Sequence, residues 1–111
     1  MAKKNDSIDK MIWNNKAYEL AKNTMKIARL IEAAESAETM TEAYNCELSL
    51  VTAALGRDTA LEVLGTVDIE EVDLGTLVMV YNAVTEGYEK RIADMRASQE
   101  EKIFNSPTIR G

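Results

Sequence analysis

Residues Tyr44–Gly65 read YNCELSLVTAALGRDTALEVLG, the most continuously apolar part of the chain. Thr39 and Glu42, just before it, have the spacing of a capping box, in which the hydroxyl takes one free backbone N–H and the carboxylate reaches back to another. The spacing predicts a helix from there to Leu55. Tyr44, Leu48, Val51 and Leu55 fall on one face, and Leu50, Ala53 and Ala54 carry the apolar surface round the cylinder, so this helix must be covered on more than one side. Gly56 supplies the positive φ that helix ends favour. Thr59 and Glu62 repeat the capping-box spacing and predict a second helix of about two turns ending at Gly65.

Working outward, Thr24 to Ser36 reads as an amphipathic helix with Ile27, Leu30, Ile31 and Ala34 on one face and Lys26, Arg29 and Glu32 turned out. On the other side, Asp68-x-x-Glu71 repeats a helix-start signal. The longest helix follows from about Ile69 or Asp73, with a stripe of Leu74, Leu77, Val78, Tyr81, Val84, Tyr88, Ile92 and Met95. The stripe stops there, because Gln99 and Lys102 hold the positions that would continue it.

Before the first helix, two readings compete for KMIWNNKAYEL. Asn tolerates positive φ, so Asn14-Asn15 can turn a hairpin between two short strands. Ile8, Met11 and Ile12 have helical spacing instead, with Ser7 as a cap. The hairpin is preferred. The expected architecture is mainly α: a small domain of about four helices with a long C-terminal helix and a short N-terminal β-hairpin. Residues 1–9 are expected to form a flexible basic lead-in, 10–95 a single helical domain, and 96–111 a helix extension and disordered tail, with FNSPTIRG unstructured around Pro107.

The 111 residues suffice for one domain with a real core. The net charge of −6 is unevenly spread: residues 1–30 carry seven Lys/Arg against three Asp/Glu, and residues 31–80 one against eleven. So acidic a middle repels phosphate and argues against nucleic-acid binding. No run approaches the ~18 apolar residues of a membrane span, and MAKKNDSIDK has no signal-peptide core, so the expected location is the cytoplasm of the host cell.

Histidine is absent, which removes the commonest general base and metal ligand. Cys46 is the single thiol, placed mid-helix among apolar neighbours and without a base to activate it. Glu70, Glu71 and Asp73 suit a helix start, where the helix dipole favours negative charge. The two glycines of LGRDTALEVLG lack the spacing and the Lys-Ser/Thr ending of a phosphate loop. No catalytic, cofactor-binding or metal-binding set emerges, and the expected role is binding rather than catalysis. Trp13, Tyr18, Tyr88, Ile92 and Met95 are the candidate partner-contact residues. For Tyr88, as for Tyr81, the stripe also offers a place in the core.

Two motifs support a family resemblance. Asn14–Leu20, NNKAYEL, resembles the N-G-K-x-Y-x-L opening strand of the small tail assembly chaperones of long-tailed phages and prophages of Gram-positive hosts. Leu55–Gly65, LGRDTALEVLG, is similar to that family's F-G-x-x-x-A-x-x-I-F-G. The likeness covers residues 13 to 95 as a pattern. Leu55 stands where the family favours Phe, Asn15 where it favours Gly, and the N-terminal segment is unusually basic. The resemblance implies a non-enzymatic chaperone that coats the helix-rich tape measure protein before the tail tube forms, self-associates, and corresponds to the shorter of two products made by frameshifting. The alternative from the charge pattern is a small acidic adaptor, antitoxin-like or inhibitor-like, that binds a basic protein.

Overall fold

A computed structural model describes residues 8–105, with side chains as far as residue 97. Two strands, β1 (Lys10–Trp13) and β2 (Lys16–Glu19), precede four helices among the described residues: α1 (Met25–Glu35), α2 (Met40–Leu55), α3 (Arg57–Leu64) and α4 (Leu74–Asn105). The fold is mainly helical, with the hairpin at the N-terminal end and the long helix last.

The hairpin prevails over the helical reading because its turn is chemically well provided for. Asn14 and Asn15 hold φ of 50° and 63°, the left-handed pair that a two-residue hairpin turn requires and that Asn adopts at low cost. Lys10 pairs with Glu19, Met11 with Tyr18, Ile12 with Ala17 and Trp13 with Lys16. Met11, Trp13 and Tyr18 therefore share the face turned to the body, while Ile12 points away and is 66% exposed.

α2 is the central element, packed against α1, α3 and α4. Its cap forms as the sequence predicts: Thr39 Oγ1 accepts from the Glu42 N–H at 3.1 Å, and Glu42 Oε1 accepts at 3.1 Å from the Glu38 N–H, one residue before the cap. Leu48, Leu50, Val51, Ala54 and Leu55 are buried, on more than one side of the helix. Burying a side chain of this size is worth about 1.5–3 kcal/mol.

One helix start differs from the sequence reading, and another takes the later of its two expected positions. Thr59 does not open α3; the helix begins at Arg57, directly after Gly56, and Gly56 serves as C-cap of α2 and N-cap of α3. With φ 85° and ψ 152° it holds a backbone conformation that glycine takes at low cost and joins the two helices directly, so Thr59 already lies in the first turn and its hydroxyl is not needed as a cap. Asp68 instead makes a turn of its own, its carboxylate accepting from the Glu70 N–H and its carbonyl from the Glu71 N–H. The long helix waits for Asp73, whose carboxylate accepts from both the N–H and the hydroxyl of Thr76 at 2.9 Å.

Along α4 the buried row is Leu77, Val80, Tyr81, Val84 and Tyr88. Val80 belongs to it, whereas Leu74 is exposed and Val78 half-buried, because the row is set by where α2 and β1 approach the helix. At 1.5 Å per residue, α4 runs on for about 25 Å beyond Tyr88. The helix includes Phe104 and Asn105, expected to be unstructured; the rest of that tail lies outside the described residues. Most of the expected lead-in, residues 1–7, also lies outside them. Asp9, however, is not loose: it is 3% exposed and paired with α4. A carboxylate next to a hairpin carries no apolar signal, so periodicity could not place it inside.

Candidate functional site

The region that concentrates the expected contact residues is the crossing of the hairpin over α4, together with the length of helix beyond it. Leu20 N–H donates to the Asp9 carbonyl at 2.8 Å, closing the hairpin one rung past its strands. Hydrogen-bonded and non-bonded pairs alternate in an antiparallel ladder, so the Lys10 carbonyl points away from β2. It points at α4. A Cβ on Gly87 would run into the Lys10 carbonyl oxygen and come within 3.0 Å of Leu20 Cδ1. Gly in a helix interior costs about 1 kcal/mol relative to Ala, and this close approach is the reason for it here. The helix thereby covers the outer edge of β1, which would otherwise invite pairing.

Two polar contacts flank the crossing. The Tyr88 hydroxyl donates to the Ala21 carbonyl at 2.7 Å, and the Ala21 N–H donates at 2.7 Å to the carbonyl of Ala54, in the last turn of α2. One residue thus ties the chain after β2 to two helices and satisfies a carbonyl that the end of α2 leaves free. On the other flank, Arg91 Nη1 donates to Asp9 Oδ2 at 3.3 Å, while Asp9 Oδ1 is buried without a hydrogen-bond partner. Burial pushes the Asp9 carboxyl above its ordinary value, and the Arg91 charge and hydrogen bond only partly offset this. Burial, reinforced by the Asp9 charge, raises the Tyr88 phenol to about 12.

A second partly buried carboxylate lies on α2. Glu47 Oε1 is buried without a partner, and burial raises its pKa. Tyr81 on α4 is raised to about 12 by burial first and then by the charges of Glu35, Glu47, Glu89 and Cys46.

The five expected contact residues are not brought to one surface. Trp13 and Tyr18 lie on the inner face of the hairpin, half-buried against the core, and Lys16 Nζ sits 4.9 Å from the centre of the Tyr18 ring. Tyr88 is 1% exposed with its hydroxyl engaged, so in this conformation it is a core residue and offers no surface to a partner. Ile92 and Met95 are accessible, at 36% and 51% exposed, one and two turns past Tyr88 on the same side of the helix. Asp9, Gly87 and Arg91 were not singled out from the sequence. Gly87 did leave a signal, since an isolated glycine inside a strong helical pattern usually marks a close packing contact.

Among the described residues no helix is long and apolar enough to cross a membrane. Compared with known proteins, the chain matches no family profile, no curated sequence and no solved structure. The likeness to tail assembly chaperones therefore rests on the residues quoted for it.

Proposed function

We propose that this chain acts by stoichiometric protein binding, as a tail assembly chaperone whose partner is the tape measure protein, and that α4 beyond the hairpin is its contact surface. The observation that carries the binding role is the length of helix past Tyr88, where Ile92 through Ala97 are all exposed and Ile92 and Met95 present apolar side chains to solvent. An apolar row on an uncovered helix fits a helical segment laid alongside it, with anchors at i, i+3 and i+4 spacing. The identity of the partner rests on the NNKAYEL and LGRDTALEVLG motifs, and self-association belongs to the same reading.

Co-expression with the tape measure protein of the same genome tests this. The proposal expects the long protein to stay soluble and to co-purify with this chain; no rescue and no complex refutes it. The acidic-adaptor reading is favoured by one observation, the eleven Asp/Glu against one Lys/Arg in residues 31–80. It expects a complex that dissociates as salt screens it, whereas apolar recognition by α4 survives high salt.

A further inference from the structure

Residues 9–20 cross α4 as a strap whose β1 edge lies against the helix and whose β2 edge is open. Only Asp9, Met11 and Leu20 of this stretch are buried. Every residue of β2 is exposed or half-buried, and among the described residues no third strand covers its outer edge. A hairpin of two four-residue strands is marginal alone, so its hold on the body depends on those three side chains, on Trp13 and Tyr18 half-buried beside them, and on an exposed Lys16–Glu62 ion pair of 3.6 Å to α3.

Asp9 is a poor fastener. Its carboxylate has one oxygen without a partner and one bond of 3.3 Å to Arg91, and removing a carboxylate from water commonly costs more than a single ion pair returns. The chain is firmly pinned just past the strap, at Ala21, through the Ala54 carbonyl and the Tyr88 hydroxyl. A segment with few fully buried side chains beside a well-anchored residue has the layout of a hinge.

We infer that residues 9–20 open as a unit about Ala21 while the four helices stay packed, and that opening bares α4 from Gly87 to Arg91. The apolar row of the helix then runs unbroken from Tyr88 through Ile92 to Met95. In the closed state the strap covers the near end of that row and shortens the surface open to a partner helix. The opening is a property of the free chain; only its use in gating partner binding rests on the function proposed above.

The chain carries its own reporter, because Trp13 is its single tryptophan and sits in the strap. Hydrogen exchange on the unaltered protein should show the Leu20 amide exchanging at least tenfold faster than the Val84 amide in the buried part of α4. Gly87→Val, which places a side chain against the Lys10 carbonyl, should shift Trp13 emission to the red and increase 8-anilinonaphthalene-1-sulfonate fluorescence, with helical ellipticity at 222 nm retained. Adding Ile92→Asp should reduce the dye signal. Equal protection of Leu20 and Val84, or loss of ellipticity in step with the Trp13 shift, would mean that hairpin and helices are one cooperative unit, and would overturn the inference. A strap that opens in a chain that binds no tape measure protein would instead count against the proposed function alone.

Discussion

The two halves of α4 belong to one continuous helix yet sit in opposite surroundings. From Leu77 to Tyr88 its inward positions are buried under α2 and the hairpin; from Ile92 to Ala97 every residue is exposed. The periodic stripe crosses the boundary without a break, through Ile92 to Met95. Helical period alone therefore marks a face that is able to be buried, and the neighbouring elements decide how much of it is. Where the stripe outruns its cover, the leftover apolar residues are the natural candidates for a partner.

Side-chain truncation should affect the two halves of α4 very differently. Leu77→Ala, which removes a fully buried side chain, should lower unfolding free energy in urea by about 2–5 kcal/mol. Met95→Ala should leave it within about 0.5 kcal/mol, as for other exposed positions. A comparable loss at Met95 would show that the far half is packed in the free chain.

A smaller effect is expected at the boundary itself. Tyr88→Phe removes the donor to the Ala21 carbonyl and should cost about 1–2 kcal/mol, with the Ala21 region losing hydrogen-exchange protection before the middle of α2 does.

Smaller again is Asp9→Asn, expected within about 0.5 kcal/mol of the parent or stabilising, since the buried charge it removes is only partly compensated. The sign of the pH response separates two carboxylates. The Asp9 pKa is raised in the folded chain, so the docked strap holds the proton better than the open one: docking, followed by Trp13 emission, should strengthen as pH falls through the raised value towards the ordinary carboxylate range. The groups facing Asp9 from α4 are Arg91 and Tyr88. Asp73 behaves oppositely. Its bonds to the Thr76 backbone and hydroxyl lower its pKa, so its capping contribution is present above the ordinary value and is lost as pH falls through the lowered one. Asp73→Asn should remove that part of the acid sensitivity.

Much of the fold was legible because it depends on local chemistry. Thr39 and Glu42 announced α2, Gly56 and Gly65 its end and that of α3, and Asn14-Asn15 the turn. What could not be read depends on which elements meet. Thr59 has the spacing of a cap but is overridden when Gly56 starts the helix three residues early. Asp9 and Arg91 lie 82 positions apart, and no local pattern relates them. Of the candidate contacts, Ile92 and Met95 were legible as the end of a stripe. A core place for Tyr88, one turn earlier, was legible from the same stripe; the partner of its hydroxyl, the Ala21 carbonyl 67 positions away, was not.

Partner binding is proposed for the exposed residues of α4 past Tyr88. Its most direct test is co-expression of the tape measure protein with the wild-type chain and with the Ile92→Asp/Met95→Asp variant, measuring the soluble fraction of the long protein. The account predicts rescue by the wild type and its loss with the variant, whose thermal midpoint stays within a few degrees of the parent. Equal rescue by both chains would contradict it.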